Sequence, residues 1–148
     1  MRRVVFAVLI VALLLAGCGG QAADTTVPDP PKSTTFEKGD AQKLNDLIDQ
    51  LKSRVPEEMK AQGIKDTAEQ PIVQQVYQST ASLQEIADFY KKQLTDKSWV
   101  QSQRMPGVQN GLLIDGYQIG NTTLVIGAVD ASQLGGSGVV VYTAKGTK

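Results

Sequence analysis

Two carboxylates are the residues best placed for acid–base chemistry in this chain. Asp115 lies within an apolar stretch that predicts a strand, and Asp130 lies at the end of the next such stretch. Burial at either position would raise the pKa of the carboxyl group, a property that catalytic acids and bases use. The structural alternatives are a solvent-facing strand position for Asp115 and a turn position for Asp130. The sequence cannot pair the two side chains in space and leaves these interpretations open.

The composition argues against most other catalytic chemistry. The chain has 148 residues with no histidine and one cysteine, which excludes histidine-based triads and metal sites that use imidazole. We therefore predict no catalytic, cofactor-binding or metal-binding residues, and a protein that is not an enzyme. A hydrolase that uses carboxylates is the remaining enzymatic alternative.

The amino-terminal residues have the pattern of a signal peptide. Arg2 and Arg3 precede an apolar run of 13 residues, positions 4–16, which ends in small residues. As a helix this run would span roughly 20 Å, short of the ~30 Å hydrocarbon core of a bilayer. We predict a signal peptide over residues 1–17, with a short signal anchor as the alternative.

The single cysteine follows this run directly. The sequence Leu15-Ala16-Gly17-Cys18 resembles the lipobox of bacterial lipoproteins at all four positions. The resemblance implies that the Cys18 thiol receives a diacylglycerol, that the signal peptidase cleaves between Gly17 and Cys18, and that the new amine is commonly acylated. Two or three acyl chains would anchor the mature protein durably in a membrane.

The same resemblance predicts where the protein is located. It implies a lipid-anchored protein on the exported side of the cytoplasmic membrane. Gly19 stands where an aspartate would follow the cysteine, which in a two-membrane bacterium implies the outer membrane. Without Arg2 and Arg3 the chain has 13 basic and 15 acidic residues, so it lacks the positive charge that nucleic acid binding requires.

The stretch after the cysteine predicts a tether. Residues 18–37 contain glycine, threonine and the sequence Val-Pro-Asp-Pro-Pro at 27–31, a composition that cannot bury enough apolar surface to order itself. We expect a flexible tether over residues 18–37 and a folded domain over 38–148.

Three helical segments are predicted in this domain. Asp40 is the candidate N-cap for the first, Pro56 is expected to interrupt it and start a second, short helix, and Gly63 would end that short helix. The apolar stripe of the first helix is Leu44, Leu47, Ile48, Leu51 and Val55. The third predicted helix starts at the capping box formed by Ser82 and Glu85. Its apolar face is Leu83, Ile86, Ala87, Tyr90 and Leu94.

Five strands are predicted, over residues 72–79, 99–104, 111–119, 122–130 and 138–143. Gly120 and Asn121 predict a tight type II′ hairpin turn, and positions 105–107 (Met-Pro-Gly) predict another turn. The fold class is therefore α+β: a single small domain with a mostly antiparallel sheet of about five strands. One main helix would pack on a face of the sheet, with an additional N-terminal helical segment.

Residues 81–100, with Phe89-Tyr90, Leu94 and Trp99 as the large side chains, resemble a module of uncharacterised exported proteins and envelope lipoproteins. In that module a capped helix is followed by a strand that a Gly-Trp pair opens; here Ser98 stands in place of the glycine. The resemblance implies an architecture and no reaction.

Two polar features could bind a ligand. The glycine-rich link at residues 131–138 precedes a strand and lacks a P-loop lysine, so it predicts a flexible loop. Six glutamines could form either a binding face or the wet face of a sheet covered by a helix on the other side. They are Gln74, Gln75, Gln78, Gln101, Gln103 and Gln109.

These observations lead to two main functional hypotheses. The first is a lipid-anchored, non-enzymatic envelope protein that acts as an interaction or accessory module at the membrane surface, with a protein partner in the envelope. The second is a lipoprotein that binds a small ligand through the polar sheet face or the 131–138 loop.

Overall fold

The computed structural model describes residues 22–103 and 107–148. Within them the chain forms two helices, α1 (Gln42–Ala61) and α2 (Leu83–Asp96). The strands are β1 (Ser33–Thr35), β2 (Val73–Ser79), β3 (Val100–Gln101), β4 (Gly107–Gln109), β5 (Leu112–Ile119), β6 (Thr122–Asp130) and β7 (Val139–Thr147). A 3-10 helix, Ala131–Leu134, connects β6 to β7.

The strands form one sheet in the order β1-β2-β7-β6-β5-β3, with β4 also paired to β5. Every pairing is antiparallel. The predicted α+β class is confirmed, although the sheet has seven strands and not about five. The two unpredicted strands, β1 and β4, have three residues each, which is too short for an alternating pattern to be recognised.

The two helices cover opposite faces of the sheet. Along β7, Val139 and Val141 join the apolar cluster of α2, whereas Val140 and Tyr142 join the cluster of α1. Successive strand residues point to opposite faces, so α2 and α1 lie on different sides. The predicted main helix and the additional N-terminal helical segment are both present, and the N-terminal helix α1 packs on the face opposite α2.

Helix α2 forms as the sequence predicts. Ser82 is its N-cap and accepts a hydrogen bond from the Glu85 backbone, while the Glu85 side chain accepts one from the Ser82 backbone. Ile86, Tyr90 and Leu94 are fully buried against the sheet. Trp99, with 2% of its surface exposed, belongs to the same cluster.

Helix α1 differs from the prediction at both of its expected boundaries. Its N-cap is Ala41, which makes no side-chain capping bond, so the prediction of Asp40 as N-cap is wrong. The predicted interruption at Pro56 is also wrong, because the helix continues through that residue to Ala61. Side chains before and after Pro56 pack on the same sheet face, and this tertiary contact offsets the loss of one backbone hydrogen bond.

The strand predictions are confirmed for the central hairpin. Strand β6 has the predicted bounds, and Ile119 pairs with Thr122 across the two-residue turn. Gly120 has a φ of +53°, as the first position of a type II′ turn requires. The predicted strand at 99–104 is shorter, ending at Gln101, and the predicted turn at 105–107 lies largely outside the described residues.

The described part of the expected tether is attached to the domain. Ser33–Thr35 pairs with β2, and Val27 packs against the α2 cluster. The Tyr77 hydroxyl donates a hydrogen bond to Asp29 at 2.6 Å, and the Ser79 hydroxyl donates one to the Pro31 carbonyl at 2.6 Å. We call residues 24–31 the N-terminal strap. The packed domain therefore begins well before residue 38.

The predicted signal peptide and Cys18 lie outside the described residues. Neither α1 nor α2 combines the length and the hydrophobicity of a membrane span, and residues 22–103 and 107–148 contain no other candidate.

Candidate binding groove

An open groove separates α1 from the neighbouring part of the sheet. It has a volume of about 940 Å³, near the upper end of the ~300–1,000 Å³ that small-molecule sites occupy. One wall is α1, and the floor consists of residues from β5, β6 and β7. We call this feature the α1 groove.

The wall of the groove consists of two rows of side chains that run along α1. The apolar row is Leu47, Leu51, Val55 and Met59, and the polar row is Gln50, Arg54, Glu58 and Gln62. Members of each row are four residues apart, so they lie one above another on the helix surface. Leu47, Leu51 and Val55 are only half-buried. Residues that the sequence assigned to the core therefore also form an accessible wall.

The floor of the groove is open because glycine occupies its centre. Ile114 on β5 pairs with Gly127 on β6, which pairs with Tyr142 on β7. A Cβ atom added at Gly127 would meet no atom closer than the Leu113 carbonyl oxygen at 4.0 Å. A second glycine, Gly116, also lines the groove.

Apolar side chains are exposed on the same face. Ile114 is 40% exposed, and Leu112, two residues earlier on β5, is 44% exposed. Val100 on β3 is 70% exposed and pairs with Gln118 of β5, which lies on this face by the same alternation. Leu112 and Ile114 are neighbours on this face, and exposed apolar side chains that lie together are a feature of interaction surfaces.

Asp115 lies on the opposite face, beneath α2. It is 3% exposed, so the solvent-facing alternative is wrong. Burial raises the pKa of this carboxyl group, while a hydrogen bond from Gln101 Nε2 at 3.2 Å opposes the rise. Burial, together with the nearby Asp115 charge, also raises the pKa of Tyr117.

Asp130 takes the turn position that the sequence offered as its structural alternative. Its carboxylate accepts hydrogen bonds from the backbone and hydroxyl of Ser132 at 3.0 and 2.7 Å, which caps the 3-10 helix. These bonds lower the pKa of Asp130. Asp115 pairs with Ile126, four residues from Asp130 along β6, a separation of roughly 14 Å. The structure does not bring the two carboxylates together.

The predicted polar features, the glutamines and the 131–138 link, lie in different parts of the domain. Gln78 donates to the Ser137 carbonyl at 2.9 Å, Gln74 accepts from the Tyr142 hydroxyl at 2.7 Å, and Gln101 binds Asp115 on the other face. The 131–138 link packs beneath the start of α1, since a Cβ atom at Gly136 would lie 2.9 Å from Leu44. Neither the glutamines nor the link form a single ligand surface.

Among residues 22–103 and 107–148, no group of three or more acidic residues, histidines or cysteines could hold a metal ion. The α1 groove was not identified from the sequence. The signal that could have revealed it is Gly127 at the centre of an apolar strand, since an isolated strand glycine often marks a close approach by another molecule.

Comparison with known proteins finds no relative of this chain. No protein-family model matches it, and no curated protein or solved structure matches it significantly.

Proposed function

We propose that this chain is a lipid-anchored, non-enzymatic protein of the cell envelope that acts as an interaction module at the membrane surface. The observation that carries the proposal is the α1 groove, an accessible surface with apolar residues on both its wall and its floor. Its partners are a membrane, through acyl chains on Cys18, and a second protein in the envelope. The location is the exported side of the cytoplasmic membrane, or the outer membrane where one exists.

The N-terminal strap supports a position close to the membrane. Asp24 is six residues after Cys18, a span of at most about 20 Å when fully extended. Lys97 holds Asp24 by an ion pair of 3.0 Å, and Lys145 donates to the Thr25 carbonyl at 3.1 Å. Because the strap is attached at these points, a lipid on Cys18 would keep the domain near the headgroups.

The anchor is tested by replacing Cys18 with serine, whose hydroxyl cannot accept the lipid in place of the thiol. We expect the variant to lose incorporation of a labelled fatty acid and to remain as uncleaved precursor or, once the signal peptide is removed, to leave the detergent phase in phase partitioning. Ser33→Ala, which also removes a small polar group near the amino terminus, should retain both properties. A Cys18→Ser protein that still enters the detergent phase after signal removal would overturn the lipoprotein assignment.

The interaction role is tested by isolating the full-length protein from native membranes. Co-purification of a membrane complex supports an interaction module. A small-ligand-binding lipoprotein is the second candidate, favoured by the volume of the α1 groove. For that candidate, a defined metabolite pool should raise the melting temperature of the isolated protein, with no protein partner present.

A further inference from the structure

We infer that the α1 groove receives an amphipathic helix of the partner protein, which lies beside α1 over strand β5. The inference rests on the proposed function and specifies the surface that binds the partner protein and the chemistry of the partner segment. The width, length, floor and charges of the groove support it.

The helical layer over this face covers only part of the sheet. Helix α1 packs on residues of β2, β7 and β6, including Val76, Tyr142 and Val129. In the sheet order, β5 is two positions beyond β7, a distance of about 9.5 Å. Packed helices have axes about 8–10 Å apart. A second helix centred over β5 would therefore contact both α1 and the sheet.

The groove is also long enough for a helix. Its wall extends along α1 from Leu47 to the C-cap residue Gln62, which is about 22 Å at 1.5 Å per residue. This length corresponds to roughly four turns, so a partner helix could place three or four apolar residues against the apolar row. The partner segment is thus expected to have apolar residues at spacings of three and four.

The floor allows a helix to approach closely. Gly127 lies under the proposed position, where an added Cβ atom would meet no atom closer than 4.0 Å, and small residues let a helix approach the backbone closely. Ile114, which pairs with Gly127, is exposed, and Val100 is exposed further along the same face. A partner helix would bury these side chains, so the floor offers space at its centre and apolar contact at its edge.

The polar row indicates the charge pattern of the partner. Arg54 and Glu58 lie one turn apart on the rim. A bound helix would complement them with an acidic side chain near Arg54 and a basic one near Glu58. We therefore expect a partner helix with charges of both signs along its edge.

The first experiment places benzoyl-phenylalanine at position 114 of the full-length protein in native membranes. Position 73 is the matched control, because Val73 is 45% exposed against 40% for Ile114 but points to the opposite face of the sheet, the face that Tyr77 shares with α2. After illumination, we expect position 114 to be joined to one protein. Mass spectrometry should map the joined peptide to an amphipathic segment with the predicted spacing and charges.

The second experiment fills the groove. Gly127→Phe places a ring in the open floor, whereas Gly39→Phe adds the same ring where no atom lies within 4 Å and outside the groove. Cross-linking at position 114 should fall at least about tenfold in the first variant and remain unchanged in the second. Arg54→Glu, an exposed helix substitution, gives a variant with an intact core. Arg54→Glu should reduce cross-linking of the partner at position 114. Replacing the acidic residue of the captured helix with a basic one should restore the cross-linking.

The outcomes separate the inference from the proposed function. A lipid or a second copy of this chain joined to position 114, or capture that is unaffected by Gly127→Phe, overturns the helix assignment. If the partner is instead joined at position 73, the interaction role remains and only the surface is wrong. The proposed function is overturned as well if the full-length protein is not retained in membranes and no protein is joined at either position.

Discussion

The indole nitrogen of Trp99 donates a hydrogen bond of 3.2 Å to the backbone carbonyl of Asp24, a residue 75 positions earlier in the chain. The same side chain packs in the α2 cluster with 2% exposure. Beside it, hydrogen bonds from Thr26 and the ion pair with Lys97 lower the pKa of Asp24 to about 2. Trp99 thus connects the core of the domain to the N-terminal strap.

Trp99→Ala should lower the free energy of unfolding by about 3–5 kcal/mol, because it leaves a cavity under α2 and breaks the bond to the strap. Urea denaturation measures the loss. Val100→Ala is the control: Val100 is the adjacent residue and is 70% exposed, so its effect should be within about 0.5 kcal/mol. Equal effects at the two positions would show that Trp99 is not part of the core.

Trp99→Phe should release the strap while retaining most of the core packing, because the benzyl ring lacks the indole N–H. Amide hydrogen exchange should become faster for the non-proline residues of the strap, 24–27 and 29, and remain slow for β6. If exchange in the strap is unchanged, the other attachment points hold it without Trp99.

Asp115 should make stability decrease as the pH rises. Burial raises its pKa above the usual value of 3.8, so the folded protein binds a proton that the unfolded chain has already lost. The group favours folding below pH 3.8 and loses this contribution as the pH rises through the folded-state pKa. The free energy of unfolding of Asp115→Asn, minus that of the native protein, should therefore increase with pH.

Asp130→Asn should change the pH dependence of the free energy of unfolding in the opposite direction. Hydrogen bonds from Ser132 lower the pKa of Asp130 below 3.8, so its contribution is present above pH 3.8 and is lost as the pH falls through the folded-state pKa. The free energy of unfolding of Asp130→Asn, minus that of the native protein, should therefore decrease as the pH rises. Urea titrations from acid to neutral pH measure both differences, and slopes of the same sign would contradict the assignment.

Ser82→Ala should destabilise the protein by about 1 kcal/mol, since the hydroxyl accepts the Glu85 backbone hydrogen bond that caps α2. Ser53→Ala, at an exposed position within α1, should have little effect by comparison. Thermal unfolding followed by circular dichroism distinguishes the two. A normal melting temperature for Ser82→Ala would show that the cap contributes nothing.

Gly138→Ala should destabilise the start of β7. Gly138 has a φ of +69°, and an added Cβ atom would lie 2.6 Å from the Ser79 carbonyl oxygen. The left-handed conformation alone costs roughly 1–2 kcal/mol for a residue with a Cβ atom, and the contact adds to that cost. Gly39→Ala, which meets no atom within 4 Å, should leave the denaturation midpoint close to its native value.

The sequence alone determined the elements whose signals are local. The capping box of Ser82 and Glu85 predicts the start of α2, because the two residues satisfy each other's backbone donors within one turn. Gly120 predicts the hairpin turn, because its positive φ suits glycine. The apolar run at 124–129, which follows the turn residues Gly120 and Asn121 and ends at Asp130, likewise predicts that strand. Each signal acts over a few residues and needs no distant partner.

The tertiary structure decided the features that depend on contacts between distant residues. Helix α1 continues through Pro56 because its side chains on both sides pack on one sheet face. The strap is ordered because Trp99, Lys97 and Tyr77 bind it, although its own composition predicts a coil. Asp115 is buried because α2 covers its side of the sheet. The α1 groove exists because α1 packs over β7 and leaves β5 uncovered, and no local pattern in the sequence contains that arrangement.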